Sequence, residues 1–246
     1  MAYTKVKGII IKEINTGEAD KIVTILSGSL GKIKGYAKAA RRPKNRLVAG
    51  SQLLCYSEFV LFKAKDMFNI SSCDVIESFY PIRNDIVKLT VAAHLLDITD
   101  DVIQEGQSSY KTLQLLLNTI FMLSTTDKSP ELLARIFELR LLSILGYSPY
   151  SRGCIECGND LSEVTSFSFI KCGLLCERCK HADPAGFEIS TGTAKAINHI
   201  VHAPLKELFG FELSKDVLKE LAIICRRYLR DRFEKDYKKI DFLNNL

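Results

Sequence analysis

Cys154-Ile155-Glu156-Cys157 and Cys176-Glu177-Arg178-Cys179 are two C-x-x-C pairs with eighteen residues between them. Each such turn aims two sulfurs at one point, and four thiolates close a tetrahedron around Zn²⁺, so the spacing is that of a structural zinc knuckle. A closed tetrahedron leaves no open position for water; a metal held this way builds shape and does no chemistry. The expected cofactor is one structural Zn²⁺ per chain, held by Cys154, Cys157, Cys176 and Cys179. Cys172 and His181 lie near enough in sequence to serve as substitute ligands. Of Cys55, Cys73, Cys172 and Cys225, at least three are expected to be buried thiols.

Outward from the knuckle the pattern is helical on both sides. Ser129-Pro130-Glu131 is a helix start, with a hydroxyl cap, proline at the first helical position and an acid in the first turn. The helix it opens, Leu132 to Leu145, is apolar nearly all round, belongs at the centre of a bundle and stops at Gly146. Upstream, Val91, Leu95, Ile98 and Val102 share one face. Tyr110, Leu113, Leu117, Ile120 and Phe121 repeat the pattern after the cap candidate Ser108. Downstream of Pro184 the period returns in Ile197, Ile200 and Val201, and again from Val217 to Leu229. This places a helical domain over 81–246, interrupted by a zinc-binding segment at 152–181 whose middle, Val164–Ile170, alternates like a short strand.

Residues 1–80 have the other period. Val6–Ile11, Asp20–Leu26, a third run from Gly31, Leu53–Lys63 and Met67–Phe79 are β-branched or alternating, the last two joined at Ala64-Lys65-Asp66. Five strands without a convincing helix make a small barrel or a sandwich.

Charge is unevenly placed. Residues 1–80 carry a net +6, 81–225 a net −4 and 226–239 a net +4. Lys32, Lys34, Tyr36 and Lys38 alternate and so share one strand face, and Arg41, Arg42, Lys44 and Arg46 follow in a loop. Seven basic residues between 31 and 50 with no acid are the footprint of a polyanion partner, and Tyr36 offers a ring for base stacking. An edge strand guarded by lysines is the plainer alternative. Arg226–Lys235 forms a basic amphipathic helix with Tyr228, Leu229 and Phe233 as packing positions; phosphate binding and a solvated face are equally good readings of it.

Catalytic motifs are missing. There is no H-x-E for a deaminase, no P-loop around Gly31-Lys32, no G-x-S-x-G at Ser29 and no G-x-G-x-x-G. His199 and His202 have no carboxylate motif beside them and read as helix-surface residues. No apolar run approaches the ~20 residues of a membrane span. The start, Met1-Ala2-Tyr3-Thr4-Lys5, lacks the apolar core of a signal peptide. The chain reads as a cytoplasmic, non-enzymatic protein, with an RNA-binding module, a nucleic-acid-modifying enzyme using the zinc site and a protein–protein adaptor as rival functions.

Several stretches are similar, in order, to the RecO family of bacterial recombination-mediator and DNA-repair proteins. They are Gly8–Ile11, Gly17–Thr24, Gly31-Lys32-Ile33, Ala37–Leu47, the helix Leu132–Leu145 with Gly146-Tyr147-Ser148-Pro149 after it, and the cysteine quartet. Ala39 departs from the glycine expected there. The resemblance implies an α+β multidomain chain: an N-terminal OB-fold β-barrel (1–80), then an α-helical domain carrying the inserted four-cysteine zinc-binding segment. It implies binding of single- and double-stranded DNA and annealing of complementary strands. It implies partnership with RecR, with RecF in many bacteria, and with the C-terminal tail of single-stranded DNA-binding protein. RecA would act downstream, in the RecF pathway, at the bacterial nucleoid. The expected DNA contacts are Lys32, Lys34, Tyr36, Lys38, Arg41, Arg42, Lys44 and Arg46.

Overall fold

The computed structural model describes residues 3–64 and 67–240. Its chain divides into two compact units, Met1–Asp127 with Lys239–Leu246, and Lys128–Lys238.

The first unit is built around β1 (Tyr3–Thr16), β2 (Asp20–Ser27), β3 (Gly31–Ala37), the one-turn helix α1 (Leu47–Gly50), β4 (Tyr56–Ala64) and β5 (Met67–Glu77). The strands close in the order β1-β2-β3-β5-β4, the OB-type barrel. Closure depends on β1 serving two neighbours. Its first half pairs with β4 and its second half with β2, with a register shift between Ile10 and Lys12. Gly8 sits where both pairings overlap; a Cβ there would lie 2.6 Å from Ile25 Cγ2 and 2.7 Å from the Leu26 carbonyl oxygen. The seam between β3 and β5 is parallel and short, Gly35 opposite Phe68 and Tyr36 opposite Asn69. Val6, Ile10, Val23, Ile25, Ile33, Phe59, Leu61 and Ile70 fill the interior.

The expected strands are all present, but β1 runs to fourteen residues, and α1 is a helix the sequence pattern did not signal. The expected link at Lys65 and Asp66 lies outside the described residues.

The same unit holds α2 (Ile86–Val102) and α3 (Tyr110–Thr125). Asp85 caps α2 by accepting from the Val87 and Lys88 amides at 2.9 and 3.0 Å. The stripe expected on α3 is displaced: Tyr110 and Phe121 are exposed, and Leu113, Leu115, Leu116, Ile120 and Leu123 are buried. Ser109, not Ser108, occupies the cap position, and the Ser108 hydroxyl donates to the Gly28 carbonyl at 2.9 Å. The compact units therefore follow a different line from the expected boundary at 80/81, since α2 and α3 lie with the barrel.

The second unit is centred on α4 (Pro130–Ile144), which packs against α5 (Thr191–His202) and α6 (Lys215–Phe233). The Ser129 hydroxyl accepts from the Leu132 amide, as the sequence signals. α4 is buried almost all round, and its burial includes Arg135 and Glu138, which form an ion pair of 2.7 Å. Between α4 and α5 lie β6 (Val164–Ser168), β7 (Gly173–Cys176) and β8 (Phe187–Glu188), in the order β7-β6-β8. Among the described residues no helix is long and apolar enough to cross a membrane.

Candidate nucleic-acid interface and four-cysteine cluster

The seven basic residues of the expected strand face and loop separate into two groups. Lys32 and Lys34 are counter-charged from within their own unit. The Lys32 ammonium donates to the Asp100 carbonyl oxygen and stands 3.5 Å from the Asp100 carboxylate. Lys34 pairs with Glu105 at 2.8 Å. The chain after α2 is held against β3 by the Gly106 amide, which donates to the Lys32 carbonyl oxygen at 3.3 Å. A nucleic acid would have to displace Asp100 and Glu105 to use these two amines.

Lys38, Arg41, Arg42, Lys44 and Arg46 are all exposed. Among the described residues none of the five has a carboxylate within ion-pair distance. β3 stops at Ala37, so Lys38 opens the turn rather than continuing the strand face. The segment is a well-tied turn rather than the flexible loop its composition suggests. Asp20 accepts from the Tyr36 hydroxyl and, at 2.6 Å, from the Ala39 amide. Those hydrogen bonds, Tyr36 first and then Ala39, hold the Asp20 carboxyl below its ordinary value, with Lys38 and Arg42 adding to the effect. The same bond pushes the Tyr36 phenol up. Asn45 donates to the Lys38 carbonyl at 3.1 Å and accepts from the Leu47 amide at 2.8 Å, pinning both ends. Arg46 donates to the Ser71 carbonyl on β5 at 2.8 Å. Ala39 has φ +54°, the left-handed region that favours glycine, which accounts for the glycine expected there. Asp20 and Asn45 are thus positioning residues that charge counting missed; an asparagine near the end of a turn is a signal for the second, and Asp20, at the start of β2, is brought to the turn only by strand pairing.

The arginines of α6 are engaged locally. Arg226 pairs with Asp236 at 3.2 Å, the Arg227 guanidinium lies 3.9 Å over the Phe169 ring, and Arg232 donates to the Cys172 sulfur. Tyr228 and Leu229 are buried, and Phe233 meets Tyr147 edge-on, as expected of packing positions.

In the second unit the sulfurs of Cys154, Cys157, Cys176 and Cys179 all lie within 4.8 Å of one another. The Cys157 and Cys176 sulfurs are 3.6 Å apart. A tetrahedral site with Zn–S bonds of about 2.3 Å needs sulfurs about 3.8 Å apart, so the four fit such an ion. The first pair is shaped by a tight loop: the Cys154 amide donates to the Asn159 carbonyl and the Gly158 amide returns a bond to the Cys154 carbonyl. The second pair opens the 3₁₀ turn Glu177–Ala182. Burial pushes the Cys154 thiol up, but the amides of Cys157, Cys176 and Glu156 outweigh it and bring it down to about 6. Cys179, desolvated beside the other sulfurs, is pushed up to about 12. Four thiolates this close repel one another, and a divalent cation removes that repulsion.

Cys172 and His181 stand apart from the quartet. The Cys172 sulfur meets Arg232, and His181 Nδ1 lies 3.0 Å from the Arg178 carbonyl oxygen. Cys55, Cys73 and Cys225 are buried, as expected for three of the four remaining thiols. His199 and His202 are ordinary helix residues, contacting the Glu207 carbonyl and the Ser151 hydroxyl.

An OB-type barrel followed by helices that carry a four-cysteine cluster defines a class of β-barrel proteins with a cysteine-rich insertion in a helical region. Residues 1–79 match the family described as Recombination protein O N terminal, and 83–240 match Recombination protein O C terminal. The chain is 56% identical over 246 residues to the DNA repair protein RecO of Acetivibrio thermocellus, covering all of this chain and 98% of that one. It is 36% identical over 242 residues to the RecO of Caldicellulosiruptor saccharolyticus, with 98% of each covered. It is 29% identical over 244 residues to that of Halalkalibacterium halodurans, with 99% and 95% covered. The chain belongs to the RecO family of DNA repair proteins, which mediate recombination and are not enzymes.

Proposed function

We propose that the barrel binds single- and double-stranded DNA through the turn Lys38–Arg46 and brings complementary strands together. The observation that carries this is the set of five exposed cations, Lys38, Arg41, Arg42, Lys44 and Arg46, on one ordered turn with no acid paired to them among the described residues. Two DNA strands repel; a cationic surface releases their counterions and concentrates them, and no bond need be made or broken. Lys32 and Lys34 would serve a different purpose, fixing β3 to the last turn of α2 and to the segment after it.

The four cysteines would hold Zn²⁺ in a closed tetrahedron, where the metal supplies fold stability and no reaction step. Membership of the family supports action in the bacterial cytoplasm with RecR, with RecF and with the tail of single-stranded DNA-binding protein, to help RecA load onto coated DNA.

The test is a fluorescence annealing assay with complementary single strands, bare and coated with single-stranded DNA-binding protein, over a salt series and without ATP. Annealing that survives coating is the expected result. Annealing of bare strands alone would remove the coat-protein partnership. A chain that neither anneals nor binds in a salt-dependent way would overturn the reading.

A further inference from the structure

The barrel's registers align four outward-facing side chains in a row across its wall. Tyr3 on β1 is opposite Phe62 on β4, Phe62 is opposite Asn69 on β5, and Asn69 is opposite Tyr36 on β3. Their inward neighbours, Leu61 and Ile70, belong to the core, so the row itself faces out. Tyr3 is 63% exposed and meets Phe62 edge-on with ring centroids 5.8 Å apart. Tyr36 is held by its hydroxyl on Asp20, which anchors the outer end of its ring. With neighbouring strands about 4.8 Å apart, the four positions span about 14 Å.

The next outward positions along the strands are Lys5, Val60 and Ser72, again aligned by register, with Lys38 just past the end of β3 on the far side. Arg46 reaches β5 at the Ser71 carbonyl. The aromatic row is thus bordered by a second row with exposed lysines at its two ends and an exposed arginine between them.

We infer that this row is a base-stacking track for single-stranded nucleic acid, with Tyr3, Phe62 and Tyr36 as ring platforms and Asn69 as a hydrogen-bonding residue between them. The backbone of the strand runs along the neighbouring row, from Lys5 to Lys38 and the basic turn. Aromatic rings beside a line of cations, on a rigid sheet, are what an unpaired strand needs and a duplex cannot use, because duplex bases are already stacked. A peptide partner would find an asparagine at the centre and charges at both ends of the row. The inference rests on the DNA-binding reading of the turn and adds to it the face that tells one strand from two.

The test uses the full-length chain, wild type and Tyr3→Ala and Phe62→Thr variants, binding an oligothymidine and a duplex of equal length over a salt series. The exposed Tyr3 side chain can be removed without touching the core, which keeps the test alive if Phe62→Thr fails to fold. Losing one stacking platform should weaken single-strand binding roughly tenfold. Duplex affinity and the salt slope should stay as they are, since no charge is removed. Irradiation of a 5-iodouracil oligonucleotide on the wild-type chain should cross-link it at Tyr3, Phe62 or Tyr36. Unchanged single-strand affinity in Tyr3→Ala, an equal loss for duplex, or cross-links confined to other segments overturns the track. An Arg41→Gln/Arg42→Gln variant in parallel separates the two readings. If it binds weakly while Tyr3→Ala binds normally, the track fails and the turn stands; if both bind normally, both fail.

Discussion

Replacing Arg41 and Arg42 by glutamine should change the salt dependence of DNA binding by a calculable amount. The turn exposes Lys38, Arg41, Arg42, Lys44 and Arg46, none ion-paired to a carboxylate of the described residues. If each neutralises one phosphate of a single strand, log K falls with log salt at a slope of about −3.5, from about −0.7 per contact. Between 50 and 200 mM salt that is a loss of roughly 130-fold. With two contacts removed the slope becomes about −2.1 and the loss roughly 20-fold. Lys32→Gln/Lys34→Gln removes the same number of charges, but these lysines already face Asp100 and Glu105, so its slope should stay near about −3.5. Fluorescence anisotropy of a labelled oligothymidine across a salt series measures all three slopes. Equal flattening by the two double variants would show that Asp100 and Glu105 give way to DNA and that the division of the basic face is wrong. An unchanged slope in the Arg41/Arg42 variant would refute the turn as the interface.

Three further outcomes test the scaffold. Metal analysis should find one zinc per chain; Cys176→Ser or a chelator should lower the unfolding midpoint of the helical region, and a metal-free wild type of normal stability would contradict this. Ala39→Gly should raise stability by up to about 1 kcal/mol, because relief of the left-handed strain slightly exceeds the added chain entropy, and a lower urea midpoint would count against that balance. Glu138→Ala should cost about 3–5 kcal/mol by stranding the buried Arg135, while Arg135→Met with Glu138→Leu should unfold near the parental midpoint; a small loss in the single variant would mean that water reaches the pair.

The sequence carried most of the local structure. The Ser129-Pro130 helix start, the strand runs and the cysteine spacing depend on neighbours within a few residues; the helix start and the cysteine cluster appear where the pattern puts them, and the five strands appear in the expected order with different ends. The stripe on α3 was misjudged because an apolar ring marks a helix without saying which side will be covered; Tyr110 and Phe121 are exposed. The charged composition of 39–46 marks a loop without showing what orders it; Asp20, distant in sequence, and Asn45 tie it down.

By itself the sequence determined which residues are cationic, which cysteines converge and where the long helix of the second unit begins, since these follow from short-range geometry and spacing. Only the tertiary structure decided which cations are available. Lys32 and Lys34 look no different in sequence from Arg41 and Arg42, but chain folding sets Asp100 and Glu105 in ion pairs with the first pair and, among the described residues, brings no carboxylate within ion-pair distance of the second. The row Tyr3–Phe62–Asn69–Tyr36 is likewise invisible in the chain, because it exists only when strand register sets four distant residues side by side. Charge and ring character are local properties; pairing and alignment are set by the long-range registers that close the barrel.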